Sequence, residues 1–166
     1  MTSAQKALQF TEGLCSGCRT CELACSLFHA RECNPTLARR RVVDRDVVIH
    51  HSIGCRQCVD PPCIEVCPVK ANQQNPGTGA VTTVDSLCSG CQACAQACPH
   101  GAIWFSPTGK LLRCDLCSGD PQCVHFCATG ALSYKLLADP LPSSDGCENR
   151  PCWALQDLFC TSPTKE

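Results

Sequence analysis

The chain has 166 residues and a formal net charge of −1, with 17% charged, 44% hydrophobic and 5% aromatic residues. This length suits one domain or two small ones, and the charge balance excludes a basic nucleic-acid-binding protein. No stretch is long and apolar enough to span a bilayer, and residues 1–13 lack the features of a secretory signal, so we expect a cytoplasmic protein. The unusual feature is the 20 cysteines, a content that marks a special class.

Sixteen of the cysteines fall into four closely spaced runs. In chain order the runs are Cys15-x2-Cys18-x2-Cys21-x3-Cys25, Cys55-x2-Cys58-x4-Cys63-x3-Cys67, Cys88-x2-Cys91-x2-Cys94-x3-Cys98 and Cys114-x2-Cys117-x5-Cys123-x3-Cys127. Disulfides need an oxidising compartment, and zinc sites usually combine two well-separated ligand pairs, often with histidine. Runs of this spacing are typical of iron–sulfur clusters, so the sequence predicts [4Fe–4S] clusters. A zinc-stabilised binding module is the alternative from another class.

The spacing within a run has a physical reason. Three thiolates on a short loop can bind three irons on one side of a cubane cluster, while the fourth cysteine points to a neighbouring cluster. Pro68 and Pro99 follow the fourth cysteines of two runs and fix the backbone there. Gly17 and Gly90 indicate either ordinary turns or backbone amides that approach the sulfides closely.

Short strands are predicted between the runs, next to turns rich in Gly, Pro, Asn and Ser. In chain order they are two strand pieces within 41–49 (RVVDRDVVI), then 80–84, 101–105 and 130–134. Since the four runs form an internal repeat, we expect an α+β fold of short strands and one-turn helices, with clusters in place of most of a conventional core.

The C-terminal segment 138–166 differs from the rest. Residues 139–144 are typical of a linker, and 150–159 predict a short helix with an apolar side. Either this helix folds back on the body, or the segment is a tail that docks on a partner or on another copy of the chain.

The cysteine pattern resembles the four-cluster ferredoxin-like electron-transfer subunits of molybdenum and tungsten oxidoreductases. Members of that family serve dimethyl sulfoxide reductase, formate dehydrogenase and the formate hydrogenlyase system, and tungsten aldehyde oxidoreductases use similar small subunits. The most specific parts are the second run, CRQCVDPPCIEVCP, and the long gap from Cys117 to Cys123. The pattern departs from the family at Ser26 and Ala128, where no proline follows the fourth cysteine, so looser turns are expected there.

The resemblance implies how the sixteen cysteines share four clusters. The implied ligand sets are Cys15, Cys18, Cys21 and Cys127; Cys114, Cys117, Cys123 and Cys25; Cys55, Cys58, Cys63 and Cys98; and Cys88, Cys91, Cys94 and Cys67. It also implies two ferredoxin-like double-cluster domains, one inserted in the other. The first is discontinuous, with residues 10–40 plus 106–137, and the second covers 41–105.

The resemblance further implies a protein that relays single electrons and is not catalytic by itself. Its expected partners are a large catalytic redox subunit, a tungsten aldehyde oxidoreductase being favoured, and a second redox subunit or carrier. A free-standing polyferredoxin and self-association through exposed end clusters are the alternatives. Each oxidised cluster with four thiolates carries about −2, so four would take the formal charge from −1 to about −9.

Several residues outside the runs have two interpretations each. Cys33, Cys147, Cys152 and Cys160 are predicted to be free thiols, with a further metal site or a redox disulfide as the alternative. His50 and His51 are predicted as polar strand-end residues, with metal ligation or proton transfer as the alternative. His100 either donates a hydrogen bond near a cluster or lies in an exposed loop. The basic patch 39–41 with Arg45 is either a solvated face or a docking surface for an acidic partner.

Overall fold

The computed structural model describes residues 6–44, 47 and 49–136. The predicted linker, helix and docking tail at 138–166 lie outside these residues. So do Arg45 and three of the four cysteines that belong to no run: Cys147, Cys152 and Cys160.

The described part of the chain has four α-helices, and each carries the third cysteine of its run. The helices are α1 (Thr20–Ala30), α2 (Pro62–Glu65), α3 (Ala93–Ala97) and α4 (Gln122–His125). The cysteines are Cys21, Cys63, Cys94 and Cys123, all buried. Within the described residues, no helix combines the length and the apolar run needed to cross a membrane.

Within residues 6–136, as far as the structure describes them, eight short strands form four two-stranded antiparallel sheets. The strands are β1 (Lys6–Phe10), β2 (Arg40–Asp44), β3 (His50–Gly54), β4 (Asn72–Gln74), β5 (Val81–Thr83), β6 (Trp104–Phe105), β7 (Leu111–Leu112) and β8 (Leu132–Leu136). The pairs β2–β3, β4–β5 and β6–β7 are hairpins, whereas β1 pairs with β8 from the far end of the described residues. The predicted α+β fold class is confirmed by these helices and antiparallel strand pairs.

The predicted strands are found with shifted bounds. The strand at 80–84 is confirmed as β5, the strand at 101–105 is reduced to β6, and that at 130–134 is β8, two residues later. The prediction of two strand pieces within 41–49 is wrong for the second piece, which begins only at His50. Asp44 pairs with His50 across β2–β3, and the 2.7 Å contact between Asp44 Oδ1 and His50 Nδ1 stabilises that register.

Helix packing brings the first run to the fourth and the second run to the third. Helix α1 packs against α4, and α2 packs against α3. One core surrounds Leu116 and Leu132 and includes cysteines of the first and fourth runs; the other surrounds Val81 and Ile103 and includes cysteines of the second and third runs. Cysteines are thus part of both cores.

The two turns without proline behave differently from each other. At Ser26 the chain forms no turn, because α1 continues to Ala30. At Ala128 the chain forms the same turn as after Cys67 and Cys98. The Gly130 N–H closes this turn by donating to the Cys127 carbonyl at 3.1 Å. The expectation of looser turns is therefore wrong at both positions.

Candidate metal centres

Two cavities are each lined by four cysteines drawn from two different runs. The first, about 330 Å³ of space partly open to solvent, is lined by Cys55, Cys58, Cys63 and Cys98. The second, about 290 Å³ and also partly open, is lined by Cys67, Cys88, Cys91 and Cys94. We call these two the inner sites. In each, three cysteines of one run meet the fourth cysteine of the other.

The cysteines of the first and fourth runs meet where α1 packs against α4, and we call their two sites the outer sites. Burial raises the pKa of Cys25 to about 12, and the nearby thiols of Cys114, Cys117 and Cys123 add to this increase. Burial also raises the pKa of Cys21 to about 11. Cys127 packs against the core that contains Cys21.

The inner and outer sites approach each other at Cys55 and Cys114. Both thiols have a pKa raised by burial, and the Cys114 thiol raises the pKa of Cys55 further. Gln57, in the second run, also contacts the fourth run, because its Nε2 donates to the Cys114 carbonyl at 2.8 Å. Its Oε1 accepts from the Val81 N–H at 2.7 Å. Gln57 is 1% exposed, so this connection is fully buried.

The residue before the second cysteine of every run has a left-handed backbone. These residues are Gly17 (φ +69°), Gln57 (+54°), Gly90 (+70°) and Leu116 (+60°). Such a conformation turns the loop sharply between two ligands and costs most residues energy. In the two runs without glycine, the side chains of Gln57 and Leu116 are buried, so their packing and hydrogen bonds offset that cost. At Gly17 a Cβ would lie 2.5 Å from the His50 ring, so that position also needs glycine for space.

Backbone N–H groups point at the fourth cysteine of each run. Ala71 N lies 3.2 Å from Cys67 Sγ, Ala102 N lies 3.5 Å from Cys98 Sγ, and Arg39 N lies 3.2 Å from Cys25 Sγ. At Cys127 burial acts to raise the pKa, but the N–H groups of Leu132, Ala131 and Thr129 and the Thr129 hydroxyl outweigh it and lower the pKa. These donors would stabilise a negatively charged sulfur ligand.

The donor sets fit [4Fe–4S] clusters. Each inner site gathers four thiols, which is the ligand count of that cluster, with N–H donors directed at sulfur. No disulfide joins any of the cysteines within the described residues. Because burial raises the pKa of most of these thiols, iron must displace their protons when it binds.

The predicted basic patch 39–41 is not a surface patch. Arg39 is partly buried and pairs with Asp115 at 2.7 Å, Arg40 is 4% exposed, and Arg41 stacks over the Trp104 ring at 4.6 Å. The alternating directions of side chains on β2 explain this, since they send neighbouring arginines to opposite faces. The prediction of a surface patch is therefore wrong for Arg39 and Arg40, whereas Arg41 is exposed and fits a solvated face.

Other predicted residues lie near the sites or apart from them. His50 and His51 are the first residues of β3, as predicted, and His100 lines the cavity of Cys55, Cys58, Cys63 and Cys98. Cys33 is an exposed free thiol.

Sequence reasoning missed His29 and Arg113. His29 Nε2 lies 3.5 Å from Cys117 Sγ, and Arg113 Nη1 lies 3.5 Å from Cys63 Sγ. The position of Arg113 next to Cys114 was the one available signal.

Known proteins share this pattern. A model of the 4Fe-4S dicluster domain matches residues 47–136, which include the second, third and fourth runs. The "Aliphatic sulfonate oxidoreductase, polyferredoxin-like subunit" of Pyrococcus furiosus is 42% identical over 64% of this chain and 62% of its own. One polypeptide of the anaerobic dimethyl sulfoxide reductase of Escherichia coli is 34% identical over 61% of this chain and 56% of its own. "Formate hydrogenlyase subunit 2" of Escherichia coli is 42% identical over 59% of this chain and 47% of its own.

In each case the match covers less than two thirds of the relative's length. The match to the dicluster domain covers more than half of this chain. The resemblance based on the cysteine runs and the prediction of [4Fe–4S] cofactors are confirmed, and the zinc alternative is not supported. The chain belongs to the 4Fe-4S dicluster domain family.

Proposed function

We propose that the chain is an iron–sulfur electron-transfer subunit that relays single electrons between a catalytic redox subunit and a second redox subunit or carrier. When bound, [4Fe–4S] clusters supply one-electron oxidation and reduction. The chain itself holds them, excludes water from the buried thiolates and directs N–H groups at sulfur. The observation that carries the proposal is that each inner cavity joins three cysteines of one run to the fourth of another.

The ligand sets are those that the family resemblance implies. For the inner sites they are Cys55, Cys58, Cys63 with Cys98, and Cys88, Cys91, Cys94 with Cys67, the residues that line the two cavities. For the outer sites they are Cys114, Cys117, Cys123 with Cys25, and Cys15, Cys18, Cys21 with Cys127. The nearness of Cys25 to Cys114, Cys117 and Cys123 supports the first outer set.

The four sites follow one another in a row. Cys21 neighbours Cys123, Cys55 neighbours Cys114, and Cys63 neighbours Cys94. This order runs from the Cys15 site through the Cys114 and Cys55 sites to the Cys88 site. The two end sites include the exposed cysteines Cys18 and Cys91, whereas the two middle sites have no fully exposed ligand. Electrons would therefore enter and leave at the ends of the row.

The arrangement of one domain inserted in another is part of the proposal. Residues 10–40 and 106–137 would form the discontinuous domain of the outer sites, and 41–105 the inserted domain of the inner sites. The pairing of β1 with β8 and the packing of α1 against α4 support the discontinuous domain. The contact of α2 with α3 supports the inserted one.

The proposed partner is the large subunit of a molybdenum or tungsten enzyme, and the proposed location is the cytoplasm. Support comes from relatives that are named as components of oxidoreductases. Anaerobic purification of the tagged chain from its own cells tests this. A large subunit with a molybdenum or tungsten cofactor should co-purify in fixed ratio, and a chain that purifies alone would contradict the proposal.

Serine variants of single ligands test the sharing of ligands between runs. Cys67→Ser and Cys91→Ser should alter the same cluster signal in electron paramagnetic resonance (EPR) spectra, because both cysteines line one cavity. Cys58→Ser should alter a different signal, since its thiol lines the other cavity. Cys33→Ser, at an exposed thiol outside the runs, is the control and should alter none. If Cys67→Ser and Cys58→Ser altered the same signal, the sharing would be wrong.

A further inference from the structure

Two arginines are buried beside the candidate sites without a carboxylate partner. Arg40 and Arg113 are each 4% exposed. Arginine is almost never fully buried unless it is paired. Among the described residues, the salt bridges of arginine involve Arg19 and Arg39, and neither Arg40 nor Arg113 pairs with an acidic side chain. Something other than a carboxylate must balance the charge of Arg113, because its hydrogen-bonded oxygen partners are neutral.

Arg113 is fixed in place between the two inner sites. Its Nη2 donates to Thr83 Oγ1 at 2.6 Å and to Asn72 Oδ1 at 3.2 Å, and both partners are neutral. Its Nη1 lies 3.5 Å from Cys63 Sγ, at the first inner site. Asn72, its hydrogen-bond partner, lines the cavity of the second inner site. The guanidinium is therefore close to both inner sites.

Arg40, the other buried arginine, has different surroundings. Its Nη1 donates to Ser52 Oγ at 2.6 Å, and its guanidinium lies against Gly54. A buried carboxylate lies nearby, because Glu22 is 3% exposed and accepts from the N–H of Val42, two residues after Arg40 on β2. The inference therefore concerns Arg113, whose guanidinium lies at a cysteine sulfur.

We propose that Arg113 is an internal counterion of the two inner clusters and that it raises the reduction potentials of both. The proposal rests on the ligand sets given above. An oxidised cluster with four thiolates carries about −2 and gains one more negative charge on reduction. A fixed cation at short range in a poorly solvated interior stabilises the reduced state more than the oxidised state. It also weakens the repulsion that a reduced cluster exerts on its neighbour.

Arg113 reaches this place from outside the two runs that it serves. It directly precedes the fourth run, yet its Nη1 lies at a cysteine of the second run. The sequence repeat therefore does not account for it.

Redox titrations of the full chain with its clusters, followed by EPR, test the proposal. Arg113→Gln should lower the midpoint potentials of the two inner clusters, which are those whose EPR signals Cys67→Ser and Cys58→Ser alter. Arg113→Lys should keep these potentials near the values of the parent chain. Arg41→Gln is the control, because Arg41 is an exposed arginine that stacks over Trp104, and it should shift neither potential.

Three results would overturn the inference. One is unchanged potentials of the inner clusters in Arg113→Gln with full iron content. Another is an equal shift in the Lys and Gln variants, which would assign the effect to hydrogen-bond geometry and not to charge. If Arg113→Gln lost its clusters, Arg113→Lys would decide: retained clusters at parent potentials support the proposal, and lowered potentials or lost clusters refute it. A parent chain without iron would instead overturn the proposed function.

Discussion

The inner sites are closed by neighbouring parts of the chain, whereas the outer sites depend on its distant parts. In the inner region the N–H that binds the fourth cysteine comes four residues later, at Ala71 and Ala102. In the outer region Cys127 has the same tight turn, but the donor to Cys25 is Arg39, 14 residues later, because α1 carries the chain onward past that cysteine. Strand β1 must also pair with β8. The same ligand geometry can thus be reached through a tight turn or through a helix and a long return.

The largest effect should come from adding proline where α1 continues past Cys25. Ser26 is fully buried, and its Oγ accepts from the Asn34 N–H at 3.1 Å. Ser26→Pro would remove this contact and break the helix, at a cost of about 3 kcal/mol or more. Ala128→Pro is the matched change at the other fourth cysteine, where the turn is already that of Pro68 and Pro99. This change should leave the free energy of unfolding unchanged or raise it by up to about 1 kcal/mol.

Iron content and the temperature of thermal unfolding measure both proline variants. Ser26→Pro should lose iron from the outer sites first, and Ala128→Pro should keep its full iron content. A stable, iron-replete Ser26→Pro protein would show that the outer region closes by the same tight turn as the inner one.

The next largest effect concerns the junction between the two regions. Gln57→Ala would leave the buried Val81 N–H and Cys114 carbonyl without this partner. Each loss should lower the free energy of unfolding by about 1–3 kcal/mol. Gln92→Ala is the control, because Gln92 also has a positive φ of +64° but is exposed. We expect a clearly lower unfolding temperature for Gln57→Ala and little change for Gln92→Ala. Equal effects would mean that the left-handed backbone, and not the connection, determines the cost.

The smallest expected effect separates the two glycine-containing loops. Gly17→Ala and Gly90→Ala both place a Cβ at positive φ, at a cost of about 1–2 kcal/mol each. Gly17→Ala adds a clash with the His50 ring at 2.5 Å, whereas a Cβ at Gly90 meets nothing within 4 Å. Gly17→Ala should therefore unfold at the lower temperature. Adding His50→Ala should remove that difference, and a purely additive double variant would contradict the clash.

The sequence predicts local features far better than tertiary ones, for physical reasons. Cysteine spacing reports local loop geometry, and the short strands at 80–84 and 130–134 follow local turn signals. The pairing of β1 with β8 depends on contacts across the whole chain, which no local pattern encodes. The burial of Arg40 and Arg113 is likewise a tertiary result, and from composition alone Arg40 resembles part of a solvent-exposed patch.

Ser26 is informative in a different way. The missing proline there suggests a loose turn, yet its consequence is the continuation of α1 to Ala30. The residues after Ser26 include Leu27 and Phe28, and no proline or glycine interrupts the helix before it ends at Arg31 in the left-handed conformation. Absence of a helix breaker would have predicted this.

The central claim is that the four runs together bind four [4Fe–4S] clusters. Determining iron and acid-labile sulfide per chain in anaerobically purified protein, alongside its native mass, tests it most directly. We expect about sixteen irons and sixteen sulfides per chain in a brown protein. A folded, colourless chain that takes up neither iron nor sulfide would contradict the account.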